Sequence, residues 1–454
     1  MTSEVQINPT KLSILSINRS RYWIFKSAIL EFLYAEVDKA GGNEFEGSGS
    51  ESDEDEDELE DRLSFLNLTS KPQRNSLYDS SSSSASFSTP RRGKKHGSVS
   101  SMSSFNLETK EIDNSSKRHS VTNTNPAPTA SNTARSDSNE SDSEGPEAPN
   151  YFFHIAFTPI ECTIICATTV MHRLFKEPLK ACQELNYNDV TLVEQQFVNL
   201  QIDSGGGSDN NYRILQLTKP LSENNISLFF LSSHFSDIVL IPHHLEDKVV
   251  SILTQSNFEF NDLSGSYIIN NNFNPIVAPS HDESSKGLED RVFKLFKDSN
   301  IKPCIDKNVS LLLTGSRSND VAATILKAAA NLAANNIPDY FAITRTSQNE
   351  VSLILPRSSK KRSKMGFQSR FLIGSTQDII NPVTIDLQKL PLDSTGIVAG
   401  VASKIFTGIN SLPGSDYPFE LNFLSMARSA ILMIPKENVE LVNEILSSID
   451  YDNL

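Results

Sequence analysis

The sequence predicts an α+β protein built from four tandem βαββα modules with antiparallel sheets, interrupted by one long insert. Three observations carry that prediction. Apolar runs of strand length alternate with stretches whose apolar residues recur at helical spacing. The order strand, helix, strand, strand, helix comes round four times. Between residues 41 and 149 the composition turns to Ser, Asn, Asp, Glu and Thr, which bury too little apolar area to offset the entropy of ordering a chain.

The first module is split by that insert into residues 8–40 and 150–185. Lys11–Ile17 predicts a half-buried strand, and Trp23, Ile24, Ala28, Ile29, Phe32 and Leu33 fall at helical spacing. After the insert, Tyr151–Thr158 and Thr163–Ala167 read as strands and Thr168–Phe175 as a helix. The second module, 190–262, reads as a strand at Gln196–Ile202 and a helix at Tyr212–Asn224 that Pro220 should bend or shorten. Two strands follow at Ser227–Leu231 and Asp237–Ile241, then a helix at His243–Gln255 with Leu245, Val249, Val250 and Leu253 along one stripe.

Residues 263–305 are expected to be a linker, rich in Asn, Pro, Ser and Asp. The third module, 306–356, reads as a strand at Val309–Leu313, an Ala-rich helix at Asp320–Asn335, and strands at Tyr340–Thr346 and Glu350–Leu355. Residues 357–380 are a second expected linker, carrying Arg357, Lys360, Lys361, Arg362, Lys364 and Arg370. It reads as a solvated connector, or as a contact for an acidic partner, an anionic membrane or the chain's own acidic insert. The fourth module, 381–450, has a strand at Val383–Leu387, a helix at Gly396–Ile409, strands at Phe419–Leu424 and Ala430–Ile434, and a helix at Glu437–Ile449.

The insert reads as disordered. Within it Leu59, Leu63 and Leu66 share helical spacing, and Ser50, Ser52, Ser76 and Ser120 fit as kinase targets.

Bulk properties exclude several function classes. The 454 residues carry a formal net charge of −15, the wrong sign for a general nucleic-acid binder. Cys162, Cys166, Cys182 and Cys304 form no CxxC pair, and the histidines are scattered, so no metal site is expected. So few cysteines suit a reducing compartment. The opening MTSEVQINPT has no basic start or apolar signal core, and no apolar run approaches the roughly 20 residues of a membrane span, so the expected location is the cytoplasm.

No catalytic constellation is present. The sequence lacks a GxSxG elbow, a GxxxxGK[ST] phosphate loop and an HExxH helix, and the expectation is a non-enzyme without cofactors. Gly205-Gly206-Gly207 lacks the spaced glycines and the Lys-Ser/Thr of a phosphate cradle. His243-His244 after Pro242 reads as a helix start on the surface.

Three stretches carry a family resemblance. Asn224–Ile241 reads NNISLFFLSSHFSDIVLI, Leu392–Gly408 reads LDSTGIVAGVASKIFTG, and the N-terminal stretch reads KLSILSINRSRYWIF. Together with the repeated βαββα order they resemble ACT domains, ferredoxin-like regulatory modules that bind amino acids. More narrowly, they resemble the CASTOR-type arginine sensors of target-of-rapamycin signalling.

That resemblance implies a free amino acid held between modules two and four. Ser227 and Leu228 would contribute from the second module, and Asp393, Thr395, Gly396, Ile397 and Val398 from the loop entering the fourth module's helix. Helix-terminal amides suit a carboxylate, and Gly396 lets the backbone approach a ligand closely. Asp393 and Ser394 equally fit simple helix caps, and Ser227 an ordinary strand residue.

Where the family carries a Thr-Phe pair and, three residues on, an aspartate facing the ligand, this sequence has Met426, Ala427 and Ala430. A buried guanidinium would lack its carboxylate there, so arginine fits poorly as the ligand. The turn with His234, Phe235 and Asp237 matches the family's contact to a GATOR-type complex, and an exposed Phe235 would anchor such a partner. The rival expectation is a ligand-independent scaffold controlled through phosphorylation of the insert.

Overall fold

Side chains along a strand point alternately to its two faces, so a strand buried on both faces reads as almost unbroken apolar sequence. That is the pattern here. In β7 (Ser236–Pro242), Ile238 and Leu240 enter one core while Val239 and Ile241 enter another. The computed structural model describes residues 4–41, 151–203, 212–261, 283–334, 337–411 and 419–449, all within one compact unit. The stretch 42–150, with its expected disorder, helical leucines and kinase targets, lies outside the described residues, as does the triple glycine at 205–207.

The described chain runs in four βαββ segments. The first has β1 (Glu4–Asn18), α1 (Tyr22–Gly41), β2 (Phe153–Phe157) and β3 (Glu161–Ala167), followed by α2 (Thr168–Leu174), α3 (Lys176–Glu184) and β4 (Val190–Leu192). The second has β5 (Phe197–Asp203), α4 (Arg213–Glu223), β6 (Phe229–Ser232), β7, α5 (Glu246–Gln255) and β8 (Glu259–Asn261). Next come α6 (Glu283–Asp298) and β9 (Cys304–Ile305). The third has β10 (Leu311–Ser316), α7 (Val321–Ala333), β11 (Phe341–Arg345) and β12 (Val351–Pro356), then α8 (Ser359–Lys364) and β13 (Leu372–Ile373). The fourth has β14 (Ile380–Asp386), α9 (Ile397–Asn410), β15 (Asn422–Ser425), β16 (Ser429–Pro435) and α10 (Val439–Ser447).

The strands join in one sheet that closes on itself. The order is β10-β12-β11-β2-β3-β1-β5-β7-β6-β15-β16-β14, and β14 returns to β10 through the pair Ile380–Leu311. Within each segment the third strand lies between the first and the second. Neighbouring segments meet first strand to first strand or second to second. Closure leaves the main strands no long open edge to pair with another chain.

The closed sheet separates three cores. Ile14, Phe152, Ala156, Ile165, Ile238, Leu240, Ile354, Leu424 and Ile431 come from all four segments and fill its inside. Outside, the first and third segments pack β2, β3, β11 and β12 against α1 and α7, with Phe25, Ile29, Phe32, Ile325 and Leu332 buried between them. The second and fourth segments likewise share α4, α5, α6, α9 and α10.

Two stretches read as linkers contain helices within their described residues. Residues 263–305 contain α6, whose Leu288, Val292, Phe293 and Phe296 are buried against α9. Their helical spacing was overshadowed by the polar composition just before it. In residues 357–380, α8 turns Arg362 inward, where its Nη1 donates to the carbonyls of Pro356 (3.2 Å) and Arg357. Pro220 does not end α4, which continues to Glu223, because the proline sits near the end of the helix and disrupts only one late turn.

Candidate ligand cavity between the second and fourth segments

Gly396 adopts φ 83°, the left-handed region that glycine enters without steric cost, and directs the chain into α9. The first amides of a helix have no partner within it, and here the first residues of α9 line a cavity. The loop before Gly396 is held locally: Leu387 N donates to Arg428 O (2.9 Å) and Ser394 Oγ to Pro391 O (2.7 Å). The opposite wall is Leu228 and Phe229 at the start of β6. The floor is the turn joining β15 to β16, with Ser425, Met426, Ala427, Ser429 and Ala430.

The space is small, with a cavity volume of about 50 Å³, and it is partly open to solvent. None of its lining side chains is ionisable. Two serines, one of them in the lining, tie backbones across the boundary between segments. Ser425 Oγ accepts from Phe230 N (3.0 Å), while Ser232 Oγ, just beyond the lining, accepts from Phe423 N (3.1 Å).

Of the seven ligand residues expected from the sequence, Leu228, Gly396, Ile397 and Val398 line this cavity. Asp393 and Thr395 do not. They line a second cleft of about 390 Å³, shared with Arg291, Lys294 and Asp298 of α6, a helix within the stretch expected to be a linker. Ser227 is half-buried and lines neither space. Sequence reasoning missed Ser222, Ser425 and Ser429 as lining groups. The matching strings FFLS at Phe229–Ser232 and NFLS at Asn422–Ser425 were the available signal for the serine exchange.

The turn expected to meet a partner packs within the molecule. His234 N donates to Ser352 Oγ of β12 (2.8 Å). The His234 and Phe235 rings, edge to face at 5.0 Å, press onto Gly315 of β10, where an added Cβ would stand 2.4 Å from Phe235 Cζ. Phe235 is therefore half-buried rather than an exposed anchor, because glycine at 315 leaves room for its ring. Asp237 faces Arg213 Nη1 at 3.6 Å and is hydrogen-bonded by Ser232. Burial pushes its carboxyl up to about 6 despite that cation.

A family model described as ACT domain matches residues 192–255, from the end of β4 through α5. The second segment carries an ACT domain. Its β6 supplies Leu228 and Phe229 to the cavity, so one wall belongs to the ACT domain. No curated protein matches the chain. Among solved structures, aspartate kinase from Synechocystis aligns at 10% identity, covering 66% of this chain and 49% of that one, with a TM-score of 0.22. The chain thus spans about half the length of that kinase.

Among the described residues, no group of three or more His, Cys, Asp or Glu side chains is placed to hold a metal ion. No described helix is long and apolar enough to cross a membrane.

Proposed function

We propose that this is an amino-acid-responsive regulatory protein rather than an enzyme, with its ligand held between the second and fourth segments. One observation carries the reading: Leu228 of one segment and Gly396, Ile397 and Val398 of the other line a single cavity at a helix start. The α9 amides would receive the ligand's carboxylate. The lining offers no carboxylate for a cationic side chain, so the ligand is a small amino acid with an uncharged side chain, and arginine is disfavoured. The finer reading places the protein in target-of-rapamycin signalling as a CASTOR-type sensor acting on a GATOR-type complex. Ligand binding would shift the two segments through its different affinity for their open and closed arrangements.

The small cavity favours a second reading, a scaffold that binds no ligand. A volume of about 50 Å³ takes about one or two waters, so an amino acid requires the cavity to widen.

Thermal-shift and calorimetric titration of the full chain with each of the twenty amino acids separates the two. The sensor reading expects one or a few uncharged amino acids to stabilise the protein and arginine to have no effect. A Gly396→Val variant should lose the shift, since a β-branched residue resists φ 83°. A flat screen on folded protein would favour the scaffold.

A further inference from the structure

We propose that Glu161 is a positioning residue for this cavity: a latch through which the first segment holds the fourth segment's cavity floor in place. The Glu161 side chain is 1% exposed, yet it meets no cation within ion-pair distance among the described residues. Four donors satisfy it instead. Oε2 accepts from Ser16 Oγ (2.7 Å) and Thr163 Oγ1 (3.1 Å) of the first segment. Oε1 accepts from Arg428 N (3.0 Å) and Ser429 Oγ (2.7 Å) of the fourth. Each oxygen thus serves one segment. Ser429 lines the cavity, and Arg428 stands between it and Ala427, which lines it too.

The seams of the closed sheet show why this contact matters. The first segment joins the second through five ladder pairs between β1 and β5, and it joins the third through five between β2 and β11. The fourth segment joins each of its neighbours through one pair, Leu424–Leu231 and Ile380–Leu311. Side-chain bonds supplement those two seams: the serine exchange on one, and on the other Asn381 Nδ2 to Val309 O (2.7 Å) with Tyr340 OH and Thr384 Oγ1 (2.9 Å). By its strand pairing, the fourth segment is the least firmly held part of the ring. Hydrogen bonds to a buried carboxylate are stronger than neutral ones, so Glu161 constrains the floor where backbone pairing does not.

The latch itself does not depend on the ligand reading; its effect on ligand affinity does. Hydrogen–deuterium exchange on the full chain tests the latch without any ligand. In Glu161→Ala, peptides covering residues 421–434 should exchange about tenfold faster, while β1, β5, β2 and β11 keep wild-type protection. Glu161→Gln retains a carbonyl oxygen for the Arg428 amide and should fall between wild type and Ala. Ser429→Ala, which removes one bond, should show a smaller rise confined to the turn. Unchanged exchange at residues 421–434, or an equal rise in the β1–β5 and β2–β11 seams, would overturn the latch. If Glu161→Ala does not fold, the Gln and Ser429→Ala variants decide the matter in the same way. Titration with any amino acid that stabilises wild type then tests the link to the cavity: Glu161→Ala should weaken that shift at least tenfold in ligand concentration, and an unchanged midpoint would overturn it. A flat wild-type screen would defeat the sensor reading and leave the exchange result to judge the latch.

Discussion

At the scale of single residues, this protein buries a histidine between its strands. His154 lies fully buried on β2, on the inner face of the closed sheet, with Nδ1 2.8 Å from Thr344 Oγ1. Burial pushes its imidazole down from an ordinary 6.5 to about 3. The folded protein therefore holds His154 neutral where the unfolded chain would take up a proton. The stability this confers is present above pH 6.5 and is lost as pH falls toward 3, amounting to about 2 kcal/mol by pH 5. In urea titrations, the stability difference between wild type and His154→Gln should shift by that amount between pH 7 and pH 5, against the wild type. A difference that does not change with pH would mean the histidine is solvated. The sequence offered no hint of this site, since a histidine in FHIAF reads equally well as facing solvent.

Elements hold together through small residues on one face meeting large ones on the next. Gly400 of α9 lies so close to α6 that an added Cβ would stand 2.7 Å from Val292 Cγ2 and 3.3 Å from Leu288 O. Beside it, Ser403 Oγ (2.6 Å) and Thr407 Oγ1 (3.2 Å) donate to Glu289 of α6. Gly400→Ala should destabilise the fold by about 1–3 kcal/mol, and adding Val292→Ala should recover part of the loss. If the two changes were simply additive in denaturant titrations, the helices would not be in the contact described. The α9 helix was legible as an element from its apolar spacing. Its α6 partner was not, because the stretch ahead of it is dominated by Asn, Pro and Ser, and composition outweighed four apolar residues at the right spacing.

Across the whole molecule, segments distant in sequence are tied by buried charge. Arg345 of β11, with no exposed surface, donates from Nη1 to Glu36 Oε2 at 3.0 Å, and Lys39 Nζ lies 2.5 Å from Glu36 Oε1. The same guanidinium donates to the carbonyls of Ser347 and Gln348 (3.1 Å each) and lies over the Tyr151 ring at 4.8 Å. The bond joins α1 of the first segment to the third. Removing one partner strands the other charge, so Glu36→Ala should cost about 3–5 kcal/mol, while the paired change Glu36→Leu with Arg345→Met should restore most of it. Equal losses from the single and paired variants would show that packing, not charge, holds this junction.

Much of the fold was legible because its cause is local. Helical spacing, the period of two along strands and the polar turns depend on neighbouring residues, so the strand–helix–strand–strand order and most element positions follow from the sequence alone. Leu228 and Gly396–Val398 line one cavity, whereas Asp393 and Thr395 line a cleft shared with α6 and Phe235 packs against Gly315, surfaces brought in from elsewhere in the chain. The sequence by itself determined the strand–helix–strand–strand order of the four segments. Only the tertiary structure decided that the sheet closes into a ring, that the fourth segment has the fewest strand pairs to its neighbours, and that Glu161 reaches Ser429 across 268 residues. Hydrogen bonds and cavities form between chain segments whose separation leaves no periodicity to read, and burial alone decides which polar group ends beside which.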